Sequence, residues 1–207
     1  MTFFRRLASG ATSLGIFPGS FNPVTVAHLA LATAALQQVD EVLFVLPQAF
    51  PHKEFSGASF SQRLAILGLA VSENPRFSVA SSEGGLFLEI SEECRKSYGA
   101  EVRQSFLCGR DAAERIVSWN YERPGVLRDM LDRFDFLVAG RKGDYVAPEL
   151  EAKSFKRLEL TGEFDLVSAS EVRSRIACGL PWEALVPPAA RDQIREVYLP
   201  IARQWAE

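Results

Sequence analysis

The stretch GIFPGSFNPVTVAHLALATAAL, residues 15–36, joins a short apolar run to an alanine-rich run through a turn that contains two prolines. The apolar run TSLGIF, residues 12–17, is typical of a buried strand, and residues 26–38 favour a helix because Ala and Leu are strong helix formers. The turn therefore stands between a strand and the next helix, which is where parallel α/β sheets bind their ligands.

Four more apolar runs of strand length follow, separated by helical patterns: EVLFVLP (41–47), RFSVASS (76–82), VRQSFLCG (102–109) and FDFLVAG (134–140). A weaker strand pattern, KRLEL, covers residues 156–160. Because continuous apolar strands alternate with helices, we predict an α/β fold with a doubly wound, five-stranded parallel sheet and a small C-terminal helical part. We expect a single domain over residues 1–207, with residues 1–12 as a loose lead-in.

The composition is that of a globular protein, since 47% of the 207 residues are hydrophobic and 24% are charged. With 23 basic and 26 acidic residues, the net charge of −3 gives no broad basic field, so we expect no nucleic-acid partner. No apolar run approaches the ~20 residues that span a bilayer, so we expect no membrane partner. Cys94, Cys108 and Cys178 show no metal-binding spacing, which predicts no protein metal site and suits reduced thiols in the cytoplasm.

The residues of the turn favour an anion site. Gly19 lacks a Cβ, so its backbone can approach a phosphate or adopt a positive φ, while Pro18 and Pro23 stiffen the chain. Thr25 is a candidate N-cap whose hydroxyl can also bind phosphate, and His28 falls one turn into the helix on the same side. The alternative is that His28, one of two histidines in the chain, is a structural side chain. The common glycine-rich phosphate loops are absent.

GIFPGSFNPVTVAH, residues 15–28, resembles the signature G-x-F-x-(G/S)-x-F-x-P-x-(H/T)-x-G-H of the nucleotidyltransferase superfamily, whose members transfer adenylyl or cytidylyl groups. Thr25 and His28 hold the last two polar positions of this signature. Ala27 replaces the customary glycine, and Asn22 stands where aspartate is common.

A second signature of that superfamily, I-S-S-T-x-I-R, resembles VSASEVR, residues 167–173, with Ala169 and Ser170 as departures. The two signatures imply that Thr25, His28 and Arg173 are catalytic, with His28 stabilising charge on the α-phosphoryl group and Arg173 holding the leaving pyrophosphate. The residues that the resemblance implies for ATP binding are Phe17, Pro18, Gly19, Ser20, Phe21, Gly109, Asp111, Ser168 and Ser170.

The body of the chain resembles nicotinate mononucleotide adenylyltransferases. The similarity lies in DEVLFVLPQAFPHK (40–53), RLAILGLAVSENPRF (63–77), GRDAAERIVSW (109–119), FDFLVAGRKG (134–143) and LVPPAARDQIREVYL (185–199). It implies Lys53, Trp119 and Arg141 as acceptor-binding residues. The alternatives are that Lys53 lies in a solvated loop, Arg141 in a solvated basic turn, and Trp119 in the core. LFLEIS, residues 86–91, departs from the family pattern S-Y-T-x-(D/E)-T, since Phe87 and Leu88 replace a Tyr and a Thr.

The resemblance implies a Rossmann-like adenylyltransferase that joins the AMP part of ATP to nicotinate or nicotinamide mononucleotide and releases pyrophosphate in NAD biosynthesis. Such a reaction needs alignment and charge neutralisation, because the attacking phosphate is already an anion. Mg²⁺ would be held mainly by the ATP phosphates. The alternatives are phosphopantetheine as acceptor, CTP as donor, and a nucleotide-binding module without catalysis. The sequence leaves a homo-oligomer open.

Overall fold

Strands and helices alternate along the chain in the computed structural model, which describes residues 1–7, 10–48, 57–121, 123–140, 153–160, 162 and 164–205. The described strands are β1 (Thr2–Arg5), β2 (Ser13–Pro18), β3 (Glu41–Pro47), β4 (Phe77–Ser82), β5 (Arg103–Gly109), β6 (Asp135–Ala139) and β7 (Phe155–Leu158). The described helices are α1 (Val26–Ala35), α2 (Phe60–Ala70), α3 (Phe87–Tyr98), α4 (Arg110–Ser118), α5 (Val126–Leu131), α6 (Ala169–Ala177) and α7 (Arg191–Trp205).

The turn between β2 and α1 lies at the topological switch point of the sheet, where the strand order reverses. β2 pairs in parallel with β3 on one side and with β5 on the other, and the sheet order is β1-β4-β3-β2-β5-β6-β7. The crevice outside the carboxyl ends of β2 and β5 is where such sheets bind ligands. Gly15 allows β2 to pack closely, since a Cβ there would lie 2.9 Å from Leu107 Cδ1.

Helices cover both faces of the sheet. α1, α2, α6 and α7 pack over one face in a core that contains Phe44 and Tyr198. α3, α4 and α5 pack over the other face in a core that contains Phe106 and Phe136. Every residue of β3 is buried, which explains why its sequence is an apolar run after Glu41. The predicted doubly wound α/β fold is confirmed.

The sheet has two strands beyond the five expected, one at each edge. The sequence predicts a loose lead-in over residues 1–12, but Thr2–Arg5 pair antiparallel with β4. The Phe3 ring packs edge-on against Tyr98 at 5.8 Å, and the Arg6 guanidinium lies 4.5 and 4.6 Å from the two ring centroids. Contacts with a residue distant in the sequence therefore hold β1 in place, although the sequence pattern of β1 itself does not predict a strand. β7 lies on the weaker strand pattern and pairs in parallel with β6.

The helix ends follow local signals. Gly99 is the C-cap of α3, and its φ of 101° is one that glycine adopts readily. A short 3₁₀ turn over residues 188–190 directly precedes α7, which begins at Arg191. In the described ranges, none of the helices has the length and apolar character that crossing a membrane requires.

Candidate active site

Thr25 and His28 form a hydrogen-bonded pair at the beginning of α1. Thr25 is the N-cap, with an extended backbone (φ −125°), and its N–H donates to His28 Nδ1 at 2.9 Å. The Thr25 hydroxyl oxygen lies 2.8 Å from the same nitrogen. Because Nδ1 accepts the backbone N–H, the hydrogen of the neutral imidazole is on Nε2. The cap therefore fixes both the position and the tautomer of the ring.

The imidazole of His28 packs against two phenylalanine rings. The ring centroids of Phe17 and Phe21 lie 5.9 and 5.4 Å from that of His28. Phe17 lines the adjacent cleft, but Phe21 is 1% exposed and packs on Phe44 at 5.6 Å. The Phe21 ring therefore belongs to the core behind His28, and the prediction that Phe21 takes part in ATP binding stays a prediction.

Gly19 has a packing role that its sequence context does not indicate. Its backbone N–H donates to the Val45 carbonyl at 3.0 Å at the end of β2, and the predicted approach of its backbone to a phosphate stays a prediction. A Cβ on Gly19 would lie 2.9 Å from Phe21 Cζ, so the residue is small because the Phe21 ring packs against it. The positive φ of the turn, 43°, falls on Phe21 instead.

The second signature meets the first at the same end of the sheet. Ser168 is the N-cap of α6, and its Oγ accepts the backbone N–H of Glu171 at 3.0 Å. Arg173 donates through Nη1 to the Asn22 carbonyl at 2.5 Å and through Nη2 to Ser170 Oγ at 3.3 Å. The second signature therefore binds the backbone of the first, although 151 positions separate the two residues.

A cleft of about 420 Å³ opens where α1 and α6 begin. The predicted site residues that line it are Phe17, Thr25, His28, Gly109 and Ser168. The N-termini of two helices reach this one cavity, and their backbone N–H groups and dipoles favour an anion there. The structure thus brings the two signature segments to one site.

Four predicted residues lie at the edge of this site and do not line the cleft. Pro18 ends β2, and the carbonyl of Ser20 accepts a hydrogen bond from Arg63 Nη1 at 2.8 Å. Ser170 is exposed on the first turn of α6, and Arg173 is half-buried against the Asn22 carbonyl. Their roles in ATP binding and catalysis stay predictions.

The residues predicted to bind the acceptor are described only in part. Asp111, which the resemblance implies for ATP binding, is exposed in the first turn of α4, which follows Gly109 at the end of β5. Trp119 follows α4 and is 49% exposed, which excludes the alternative that it is a core aromatic. Lys53 and Arg141 lie outside the described residues. Phe87 packs edge-on against Phe106 at 5.0 Å, so it contributes to the core beside α3.

Most of the apolar wall of the cleft was not identified from the sequence. The further residues that line it are Ala27, Leu31, Ala139, Gly140, Leu160, Gly162, Phe164, Asp165, Val167 and Ala169. The carboxyl end of β6 could have been found, because ligands lie beyond the carboxyl ends of parallel strands. Leu160 ends the weaker strand pattern, whereas Gly162, Phe164 and Asp165 match no motif, so nothing in the sequence marks these three.

Burial alters the acid–base behaviour of several groups. Burial lowers the pKa of Arg63, which is 4% exposed. Burial also raises the pKa of Tyr198 well above its usual range, and the positive charges of Arg173 and Arg63 offset part of this rise. It also raises the pKa of Cys94 and Cys108 to about 12, so neither thiol is ionised near neutral pH. Across the described part of the chain, no three His, Cys, Asp or Glu side chains are grouped to hold a metal ion.

Known proteins resemble this chain over most of its length. Residues 16–175 match the family model described as Cytidylyltransferase-like. A Herpetosiphon aurantiacus protein named "Probable nicotinate-nucleotide adenylyltransferase" is 30% identical over 210 residues, which cover 91% of this chain and 98% of that protein. A Treponema pallidum (strain Nichols) protein of the same name is 31% identical over 199 residues, which cover 87% of this chain and 95% of that protein.

A solved structure has the same fold. Plasmodium falciparum nicotinic acid mononucleotide adenylyltransferase, complexed with NaAD, superimposes with a TM-score of 0.69 at 16% identity, covering 89% of this chain and 95% of that chain. The family match spans both helix beginnings that meet at the cleft. The chain therefore belongs to the cytidylyltransferase-like family of nucleotidyltransferases.

Proposed function

We propose that this protein transfers the adenylyl group of ATP to nicotinate mononucleotide and releases pyrophosphate, a step of NAD biosynthesis in the cytoplasm. The observation that carries the proposal is the meeting of α1 and α6, each beginning in a signature segment, at one cleft that His28 lines. Two helix N-termini at one cavity suit a polyphosphate. The acceptor is taken from the names of the relatives that cover nearly the whole chain.

In this reaction an oxygen of the acceptor phosphate forms a bond to the α-phosphorus of ATP. The bond from that phosphorus to the bridging oxygen of the β-phosphate breaks, and pyrophosphate leaves with the electron pair. The protein needs no covalent nucleophile, because the acceptor is already anionic. It must align the reactants and offset the charge that builds up on the α-phosphoryl oxygens.

His28 suits the role of charge stabiliser. Its Nδ1 accepts the Thr25 N–H, so the donor of the neutral ring is Nε2–H. A donor held in place by a helix cap costs little reorganisation during the reaction, which is the condition for strong electrostatic catalysis. Arg173 has five N–H donors, of which two bind Asn22 and Ser170, and the remaining ones suit the leaving pyrophosphate.

Magnesium would reach the site with ATP. Asp165 is the one carboxylate among the described residues of the cleft lining, which is too few for a protein cage of oxygen ligands. Mg²⁺ keeps several waters and binds readily through substrate phosphates, so this donor set fits an ion held mainly by ATP, with Asp165 able to contribute one oxygen.

The test is an assay of pyrophosphate release from ATP and Mg²⁺ with a panel of acceptors. We expect release with nicotinate mononucleotide, accompanied by the dinucleotide product, and little with phosphopantetheine. Replacing ATP by CTP should abolish the signal. Release that requires phosphopantetheine or CTP would reassign the substrate, and no release with any pair would indicate a binding module.

His28→Gln is the matched variant for this assay. Gln62 occupies the equivalent helix position in α2, where its Oε1 accepts the Ser59 N–H at 2.8 Å, so glutamine preserves such a cap. We expect kcat to fall about 100- to 1000-fold, with the melting temperature and ATP affinity nearly unchanged. A variant that turns over like the parent would show that His28 is only structural.

A further inference from the structure

Three helices from distant parts of the chain hold the turn between β2 and α1. Arg63 of α2 donates to the Ser20 carbonyl at 2.8 Å, and Arg173 of α6 donates to the Asn22 carbonyl. The Tyr198 hydroxyl of α7 donates to Asn22 Oδ1 at 2.5 Å. The turn that precedes His28 is therefore fixed by side chains that belong to other elements.

Two of these donor side chains are in the core, since Tyr198 is 0% exposed and Arg63 is 4% exposed. Their partner in the turn, Asn22, to which Tyr198 donates, is 6% exposed. A buried guanidinium is costly unless it makes hydrogen bonds, and a buried carbonyl that loses its donor costs about 1–3 kcal/mol. The turn also contains Phe21 with a positive φ of 43°, which a non-glycine residue keeps only when its surroundings enforce it.

The conformation of this turn directly determines the contacts of the His28 imidazole. The Thr25 N–H that donates to His28 Nδ1 lies three residues after Asn22. The Phe21 ring packs edge-on against the imidazole, with centroids 5.4 Å apart. A shift of the turn would therefore move both the hydrogen-bond partner of Nδ1 and the ring on which the imidazole rests.

We propose that Arg63 and Tyr198 are positioning residues for His28, which hold the turn so that the imidazole keeps its Nε2–H tautomer and its place at the cleft. Neither residue lines the cleft, so neither would contact substrate. The kinetic part of this inference rests on the proposed adenylyl transfer, whereas the part that concerns the imidazole does not.

Tyr198→Phe tests the proposal with the loss of a single hydroxyl. We expect kcat to fall about 10- to 100-fold, because small misplacements of a catalytic group have effects of this size, while the KM for ATP stays within about threefold. Tyr98→Phe is the matched control, since the Tyr98 hydroxyl donates to Glu41 Oε1 at 2.6 Å on the other face of the sheet. It should change stability but not kcat.

Arg63→Met and Arg63→Lys form the second pair of variants. The methionine should lower kcat as Tyr198→Phe does, and the lysine should restore part of the activity because its ammonium group can donate to the Ser20 carbonyl. Arg76→Met is the control, since Arg76 donates to the carbonyls of Val39 and Asp40 in a turn at the amino end of β3. Its kcat should equal that of the parent.

An NMR spectrum of the protein with ¹⁵N-labelled histidine tests the positioning of His28 independently of activity. The chain has two histidines, and His28→Gln identifies the signals of His28. We expect a fixed Nε2–H tautomer for His28 in the parent, Tyr98→Phe and Arg76→Met, and averaged tautomers or displaced shifts in Tyr198→Phe and Arg63→Met.

The two proposals fail in different ways. Parental kcat in Tyr198→Phe and Arg63→Met, together with unchanged His28 signals, would overturn the positioning role even if stability falls. If the parent releases no pyrophosphate, the proposed function fails, and the ¹⁵N signals still confirm or overturn the control of the imidazole by Arg63 and Tyr198. Should Tyr198→Phe not fold, Arg63→Lys and Arg63→Met provide the same comparison.

Discussion

The carboxylate of Asp40 accepts four hydrogen bonds at a single oxygen. The backbone N–H and the hydroxyl of both Thr12 and Ser13 lie 2.9 Å from its Oδ2. These donors, the Thr12 hydroxyl first among them, lower the pKa of Asp40 to about 2. The contact fastens the beginning of β2, the strand that leads to the turn before His28, to the segment that follows α1.

Asp40→Asn should lower the melting temperature by about 2–4 °C near neutral pH, because hydrogen bonds to a charged acceptor are stronger than those to an amide. The pKa in the folded state lies below the ordinary value of 3.8, so the stabilisation is complete above that value and is lost as the pH falls towards 2. The gap between parent and variant, measured by thermal melts from pH 7 to pH 2, should therefore close in acid. Asp132→Asn, at an exposed position, is the control, and a gap independent of pH would contradict this account.

Single residues could be predicted from the sequence where the contacts that explain them are with near neighbours in the chain. Thr25 and His28 stand three positions apart in a recognisable pattern, and the structure pairs them. Arg63 and Tyr198 could not be found in this way, because they bind residues 43 and 176 positions away. The packing role of Gly19 could not be predicted either, because the Phe21 ring that limits its size reaches it only once the turn is folded.

At the scale of elements, α2 and α6 begin with the same type of serine cap. Ser59 Oγ accepts the Gln62 N–H at 3.3 Å, and Ser168 Oγ accepts the Glu171 N–H at 3.0 Å. Of these two caps, only that of α6 lines the cleft. Comparing the two serines therefore distinguishes the effect of a cap on helix stability from its effect on ligand binding.

Ser59→Ala and Ser168→Ala should each cost about 1 kcal/mol of stability, since alanine leaves a helix N–H without its acceptor. Only Ser168→Ala should also raise the KM for ATP, by about three- to tenfold, the effect of one lost hydrogen bond. Thermal melts and ATP titrations of the two variants measure both quantities. Equal KM values in the two variants would show that Ser168 acts as a cap alone.

The elements that could be predicted are those whose burial is continuous. β3 and β4 are buried at every position and read as apolar or small-residue runs. β1 alternates between exposed and half-buried residues over a short segment, and its pairing with β4 depends on contacts of Phe3 and Arg6 with Tyr98 that no local pattern reveals.

On the scale of the whole molecule, one sheet supplies both cores with alternate residues of the same strands. In β2, Phe17 faces the core of α1, α2, α6 and α7, and Ile16 faces the core of α3, α4 and α5. In β3, Phe44 and Leu43 divide in the same way. This alternation explains why the apolar runs of the sequence suffice to predict a sheet covered on both faces, although they do not reveal how many edge strands it has.

Because the two cores share their strands, the described parts of the chain should unfold as one cooperative unit. Phe44→Leu and Phe106→Leu remove apolar volume from opposite cores, where both rings are fully buried, and each should lower the same transition by about 2–4 °C, the effect of about 1 kcal/mol. Calorimetry should show a single peak with equal calorimetric and van't Hoff enthalpies in the parent and both variants. Leu69→Ala, at a position 41% exposed, should leave that peak in place. Two peaks, of which each variant moves only one, would mean that the faces fold separately, and the turn before His28 would then depend on one core alone.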